Sequence, residues 1–398
     1  MTDLSTRVQR AAPALLGYAA VRALGLLALA LWSAARDKSA YTLLTARWDS
    51  LWYTRVAELG YGYEVRLPNG DVHSNLAFFP LLPWLERLFA AVTPLSYADA
   101  GFLVAVLASF AAAWGIFAVA DHVYGHRVGV CAVLLWAVLP VGIVQSMAYS
   151  ESLFTALAAW SLYAILTGRW VTAGTLALLA GLTRPVGLAV VAAVWAAGIA
   201  SFVRDRSAAP ANRAHDPEGA PSPVGGPTPP GASATRRALG MLLAPLGAAG
   251  YVLWVGHHTG KGPLGYLDVQ AGWRNGFDGG YAFARFVADK FTSFPSALAG
   301  LALIVGVGLV VWLYVICVRQ GQPLPLLVYA SLVLALALCA SSYFGSKPRL
   351  LLPAFPLLLP LALALARLRT RRSAEVLALI AVASAVYGAF WLNGSGPP

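Results

Sequence analysis

From Ala11 to Trp32 the chain reads AAPALLGYAAVRALGLLALALW, and Arg22 is the one charged side chain in it. A helix rises about 1.5 Å per residue, so such a run covers the roughly 30 Å of bilayer hydrocarbon. It is too long for a signal-peptide core and reads as a retained first span. Further apolar segments follow at 99–120, 127–147, 151–168, 171–183, 186–202, 238–258, 296–318, 324–342, 349–366 and 374–392. With no water to satisfy backbone N–H and C=O groups in hydrocarbon, such segments must be helical. The expected fold class is an all-α polytopic membrane protein, a bundle of about 11 transmembrane helices. Interfacial helices are expected in the first outer loop.

Only 11% of the residues are charged, against about 25% in a soluble domain. The net charge of +11 does not point to nucleic acid, because the basic residues are scattered between spans and form no soluble basic face. Membrane lipids and the positive-inside rule account for it. Cys131, Cys317 and Cys339 fall in apolar segments without metal or CxxC spacing, so they read as packing residues.

The stretch 171–202 is too long for one upright span and short for two. LTRPVG interrupts it with a charge and with Pro185, a helix breaker, so two short legs are expected to meet at Arg184-Pro185. If the N-terminus is cytoplasmic, two legs also put RLRTRR, Arg367–Arg372, on the cytoplasmic side, as the positive-inside rule favours. The chain then divides into a membrane module at 1–202 with its first outer loop at 34–98, and a second module at 238–398 with an outer loop at 259–295. Between them, 203–237 carries seven Pro and no apolar periodicity. It is expected to be a disordered cytoplasmic tether.

This topology gathers five polar islands on the extracytoplasmic side: RWDSLWYTRVAELGY (Arg47–Tyr61), the turn Tyr149–Glu151, Arg184, the loop 259–295, and SKPRL (Ser346–Leu350). In the first, Ser50–Leu59 reads as an amphipathic helix ended by Gly60. Asp49 is then an N-cap, or a general base at the membrane surface. Trp48 and Trp52 fit interface anchoring. NLAFFPLLPWLERLFAAV, Asn75–Val92, reads as a second interfacial helix with Glu86 and Arg87 on its solvated face. Ser150 can cap the next span. Glu151 suits either its first turn or the hydroxyls of a sugar. An Arg between two apolar legs is costly, so Arg184 should face a cavity or partner, and a phosphate would suit its planar fork. Lys347 and Arg349 precede a span, where cations either snorkel or meet phosphate.

No Gly-rich phosphate loop, HExxH or GxSxG occurs, and His257-His258 lack partners at metal spacing. No metal and no cofactor is demanded. A polyprenyl-lipid flippase or carrier is the rival class. It would be expected to hide polar groups at mid-membrane in broken helices.

Taken in order, RWDSLWY…AELGY, NLAFFPLLPWL, YSESLF, LTRPVGL and PRLLLPAFPLL resemble the PIG-V family, bacterial relatives of the second mannosyltransferase of glycosylphosphatidylinositol anchor assembly. That family belongs to the GT-C glycosyltransferases, polytopic enzymes that use lipid-phosphate sugars. The resemblance is clearest over 47–187 and returns at 347–358. It implies a membrane hexosyltransferase, with mannose the expected sugar. The donor would be a polyprenyl-phosphate mannose, the anomeric centre would invert, and the site would open on the extracytoplasmic face of the plasma membrane. By position it makes Asp49 the catalytic base. Arg184, Lys347 and Arg349 become candidates for the donor phosphate, while Arg47, Trp48, Trp52 and Glu151 are further candidates for substrate binding. The acceptor stays open among glycolipid, glycan and protein. One position departs from the pattern: Leu350 stands where an aromatic would be expected after Arg349.

Overall fold

The structure is a computed structural model that describes residues 2–212 and 230–394. The first span, α1 (Thr2–Ala34), leads into a loop that holds α2 (Ala40–Thr45), α3 (Asp49–Leu59), a hairpin of β1 (Glu64–Arg66) and β2 (Val72–Ser74), and α4 (Leu81–Val92). Then come α5 (Tyr97–Tyr124), α6 (His126–Ala137), α7 (Ser150–Leu166), α8 (Trp170–Gly181) and α9 (Leu188–Asn212). After the undescribed stretch stand α10 (Pro230–Leu243) and α11 (Leu246–His258), with α12 (Gly265–Gly272) and α13 (Tyr281–Asp289) in the second loop. α14 (Ser296–Arg319), α15 (Leu324–Leu338), α16 (Lys347–Leu350), α17 (Leu359–Arg367) and α18 (Thr370–Leu392) follow.

Among the described residues, six helices are long and apolar enough to cross a membrane: Val8–Ala34, Tyr97–Tyr124, Pro185–Ser207, Ala234–His258, Ser296–Arg319 and Thr370–Leu392. A pair bent by 76°, Phe344–Leu350 with Phe355–Arg367, makes a seventh if it is one span. α6, α7, α8 and α15 are shorter apolar helices. The expected eleven counts all of these, whereas length alone establishes six or seven. The chain is an integral membrane protein.

The two legs expected at 171–202 are α8 and α9, joined by a 3-10 turn at Pro185–Gly187. The main-chain N–H of Leu81 at the start of α4 donates to Leu182 O at 3.0 Å and ties the first loop to this joint. α8 lies against α10 and α11 backbone to backbone. A Cβ on Gly174 would stand 2.2 Å from Gly240 O, and one on Gly247 would stand 1.9 Å from Leu178 O. Small residues let membrane helices approach this closely.

Two other expected spans are broken. The segment 127–147 stops being helical at Ala137, just before Pro140. The carbonyls freed there are taken up by side chains. Arg22 of α1 donates to Ala137 O and Gly142 O, Gln145 to Trp136 O at 2.7 Å, and Ser384 of α18 to Leu139 O at 2.7 Å. Arg22, the lone charge in the first span, is thereby a backbone clamp. The segment 349–366 breaks at Pro353 and Pro356. Trp136 donates to Leu352 O at 3.0 Å and Tyr329 to Pro353 O at 2.9 Å.

The expected tether is shorter than 203–237, because α9 continues to Asn212 and α10 begins at Pro230. Arg237 pairs with Asp205 at 2.8 Å. The middle of the segment, 213–229, lies outside the described residues.

The helix expected over 75–92 is confined to α4, with a 3-10 turn at Asn75–Ala77 ahead of it. Trp84, Leu88 and Val92 are exposed, as an interfacial helix requires. The expected solvated pair, however, is split. Arg87 donates to Ala57 O at 2.8 Å, while Glu86 is fully buried and neither carboxylate oxygen has a partner. Helical spacing sets Glu86 on the same face as Leu82, against α5. Gly101 makes the room, since a Cβ there would meet Glu86 Oε1 at 2.5 Å.

Burial pushes the Glu86 carboxyl well above the usual carboxylate range. The folded state then keeps a proton that the unfolded chain releases near its ordinary value. Stability is therefore lost as pH rises from the unfolded to the folded value, by at most about 1.4 kcal/mol per pH unit. Glu86→Met should melt higher than wild type in detergent, and the gap should widen between about pH 5 and about pH 8. Thermal unfolding followed across that range checks this; a gap independent of pH would mean that Glu86 titrates normally.

Candidate active site

Between α2 and α3 the chain turns sharply at Ala46–Trp48. Ser50, fully buried, fastens the turn by accepting from Arg47 N at 2.9 Å and donating to Arg47 O at 2.7 Å. Trp48 takes a positive φ of 53°. This turn corrects the expected cap. The helix starts at Asp49 itself, Trp48 stands at the N-cap, and no side chain caps the end. The Asp49 carboxylate is instead held by Arg349, with Oδ2 at 2.8 Å from Nη1, and its side chain stays 28% exposed. An acid in the first turn still gains from the helix dipole.

Arg349 reaches a second carboxylate as well. Its Nε lies 3.3 Å from Glu151 Oε1, and its guanidinium stands over the Tyr149 ring at 5.1 Å. The same Glu151 oxygen pairs with Arg184 Nη1 at 2.5 Å. Glu151 is 2% exposed, so it is buried rather than presented to solvent at a helix end. Ser150 does not cap α7; its hydroxyl is 2.7 Å from the Tyr53 hydroxyl. Burial pushes the Tyr53 phenol up, so it stays a neutral hydroxyl at physiological pH.

These groups border a cavity of about 180 Å³ whose lining includes Asp49, Tyr53, Arg184, Arg349, Leu350 and Tyr343. Gln270, Trp273 and Asn275 complete it from α12 and the loop after it. Three of the five islands thus supply its charge, Glu151 of a fourth pairs with both arginines behind the lining, and the loop 259–295 closes it. Side chains of α11 and of the end of α12 fix the first loop by bonding its main-chain carbonyls. Tyr251 OH donates to Leu76 O and Phe78 O, both at 2.9 Å, and Trp273 Nε1 donates to Ser74 O at 3.0 Å.

Five expected substrate contacts do not line the cavity: Glu151 stands behind its two arginines, Trp48 lies under Arg47, and Arg47, Trp52 and Lys347 lie elsewhere. Lys347 Nζ donates to Ala337 O at 2.8 Å, Leu338 O at 3.3 Å and Ala340 O at 2.9 Å. Its three N–H groups are spent capping α15, where the helix dipole favours a cation. Arg47 stacks on Trp48 at 3.9 Å and donates to Leu392 O and Gly394 O at the end of α18. Trp52 backs the cavity wall, stacked on Phe78 at 5.7 Å and edge-on to Trp273 at 4.9 Å. Leu350 does line the cavity. Tyr343, one helical turn and a 3-10 turn earlier, is an aromatic that also lines it. Gln270, Trp273, Asn275 and Tyr343 went unmarked in the sequence. QAGWRN spans the end of α12 and the loop after it without apolar periodicity, and its one signal was a Gln and an Asn flanking a Trp.

Among the described residues, no group of three or more His, Cys, Asp or Glu side chains is placed to hold a metal ion.

No protein-family model matches the sequence, and no curated protein matches it. The fold does have solved counterparts. The crystal structure of ArnT from Cupriavidus metallidurans bound to undecaprenyl phosphate aligns with a TM-score of 0.52 at 14% identity, covering 92% of this chain and 62% of that one. The archaeal oligosaccharyltransferase AglB from Archaeoglobus fulgidus, in complex with an inhibitory peptide and a dolichol-phosphate, aligns at 0.47 and 12%, over 96% and 56%. The chain thus spans about three-fifths of the length of ArnT. Its fold is of the GT-C type.

Removing one partner of a buried ion pair leaves an uncompensated charge and costs about 3–5 kcal/mol. Glu151→Gln should therefore lower thermal stability far more than Asp49→Asn, whose carboxylate is partly hydrated. Unfolding of both variants in the same detergent checks this. Equal losses would show that Glu151 does not hold the two arginines together.

Proposed function

We propose that the chain is a membrane glycosyltransferase that moves a hexose, with mannose the expected sugar, from a polyprenyl phosphate to an acceptor hydroxyl. The observation that carries this is Asp49, partly exposed and held by Arg349 in a cavity that Arg184 also enters. A base and two cations within one small cavity are what a displacement at a sugar phosphate needs.

Asp49 takes the proton of the acceptor hydroxyl as its oxygen attacks the anomeric carbon. The bond from that carbon to the phosphate oxygen breaks, and polyprenyl phosphate leaves as an anion. Attack from the face opposite the phosphate inverts the centre, as in single-displacement glycosidases. A stable anion needs no general acid. Arg184 and Arg349 offset its growing charge, so no metal or cofactor is proposed. Arg349 also orients Asp49, while Glu151 keeps both guanidiniums in place.

The fold is that of ArnT, whose structure carries undecaprenyl phosphate, and this supports a polyprenyl-phosphate donor. So does an apolar groove of about 380 Å³ lined by Phe283, Val287, Ile304, Val307 and Leu338. It reaches Cys339, next to Ala340 of the site cavity, and would suit an isoprenoid tail. The ordered motifs shared with the PIG-V family support a mannosyl donor, a bacterial member and a site on the extracytoplasmic face of the plasma membrane, with the N-terminus cytoplasmic. The acceptor remains open among glycolipid, glycan and protein.

The protein in lipid vesicles, given radiolabelled polyprenyl-phosphate mannose and a membrane extract as acceptor source, should form a new labelled glycoside. Label that only changes leaflet would instead make the chain a carrier. Asp49→Asn should keep its fold and lose about 10²–10⁴-fold in transfer, the usual worth of a general base. Near wild-type transfer would remove Asp49 from the chemistry. Arg184→Gln should raise the donor KM and also lower thermal stability, since it takes one cation from the buried Glu151; unchanged donor kinetics in the folded variant would leave it a structural role.

A further inference from the structure

The cavity has two unlike walls. One carries charge, from Asp49, Arg184 and Arg349. The other, made by α12 with its following loop and by residues 340–346, is neutral and polar: Gln270, Trp273, Asn275 and Ser342 line it. Gln270 Nε2 donates to the Tyr266 hydroxyl at 2.5 Å, and its Oε1 accepts from Asn275 Nδ2 at 2.7 Å. The amide of Asn275 is thereby oriented, yet its Oδ1 has no protein partner among the described residues. The Ser342 hydroxyl is buried and also has none. Trp273 is fixed by its bond to Ser74 O and by His73 stacked on it at 4.0 Å.

The backbone of this wall is held in costly shapes. Arg274, between Trp273 and Asn275, has φ 54°, and Tyr343 has φ 53°. Such conformations persist only where the surroundings impose them. Here the two segments are zipped together: Gly276 N donates to Ser341 Oγ and Ser341 N to Gly276 O, both at 2.9 Å, and Asp278 N donates to Cys339 O at 3.2 Å. Arg274 also pairs with Asp71 of the first loop at 2.5 Å.

We infer that Asn275, Ser342 and Trp273, oriented by Gln270, form a subsite for an uncharged pyranose beside Asp49. An amide offers a donor and an acceptor side by side, which suits vicinal hydroxyls, and an unpaired hydroxyl adds a third point. An indole packs against the apolar C–H face of a sugar ring. The neutral wall would not compete for phosphate, so phosphate and sugar are sorted to different sides of one cavity. The inference rests on the transferase reading for its site. The pyranose is either the hexose of the donor or a sugar of the acceptor.

The test measures binding to the full chain in nanodiscs. The probes are citronellyl phosphate, its mannosyl and glucosyl esters, and methyl α-mannoside added over saturating citronellyl phosphate. Asn275→Ala and Ser342→Ala are compared with wild type; Ser342→Ala breaks no protein hydrogen bond, so its fold is expected to be intact. Losing one or two polar contacts should weaken a glycosyl ligand about ten-fold and leave bare citronellyl phosphate unchanged. Weaker binding of the glycosyl esters assigns the subsite to the donor sugar. Weaker binding of methyl α-mannoside alone assigns it to an acceptor sugar. Equal loss for bare phosphate, or no loss for any glycosyl ligand with either variant, overturns the inference. Because no turnover is read, saccharide selectivity without any transfer would sink the transferase reading and leave the subsite standing. Transfer with unaltered binding in both variants would do the reverse.

Discussion

One carboxylate, Glu151, holds two guanidiniums, and the shape of the site depends on it. Its Oε1 is 2.5 Å from Arg184 and 3.3 Å from Arg349, and Arg349 passes the contact on to Asp49. Two acids and two bases make the set neutral. Any one of them buried alone would cost several kcal/mol. The four come from α3, α7, the α8–α9 joint and α16, which are remote in sequence. Low-dielectric burial thus makes the assembly of the site and the packing of the bundle one event.

The convergence requires helices that stop short, and stopping short frees carbonyls at depths where water is scarce. The chain answers this with side chains. Arg22, Gln145 and Ser384 take up the break after α6, while Trp136 and Tyr329 take up the one before α17. Broken helices are also what a carrier would be expected to use at mid-membrane. The difference lies in where their polar groups point. Here these carbonyls are spent on the bundle's own side chains, and the charged lining of the cavity, Asp49, Arg184 and Arg349, comes from other turns and helix ends.

Much of this was legible in the sequence. Apolar runs fix the long spans, and a Pro next to a charge marks the α8–α9 joint, because both signals are local. The islands at Asp49, Glu151, Arg184 and Arg349 could be singled out because charge is scarce in such a chain. What could not be read was each residue's partner. Lys347 and Arg349 are two residues apart and alike in type, yet one caps α15 and the other joins two carboxylates. The direction of the α16 backbone decides this, and no spacing rule encodes it. Glu86 was misplaced for a similar reason: its burial depends on a glycine in the next helix. The amide wall was hidden because neutral polar residues in a loop resemble any solvated turn.

Asp49 shows how a small departure from local preference makes chemistry possible. As an N-cap, its oxygen would have been bonded to a main-chain N–H of the first turn. The positive φ of Trp48 moves the start of the helix so that Trp48 holds the cap position. Such a conformation costs about 1–3 kcal/mol in a residue other than glycine. The two Ser50–Arg47 bonds hold the turn against that cost. The carboxylate is released from the helix end, turned toward Arg349, and left partly open to the cavity. A local pattern that predicts a cap is overruled here by a turn, and the overruling leaves an acid free to meet a hydroxyl.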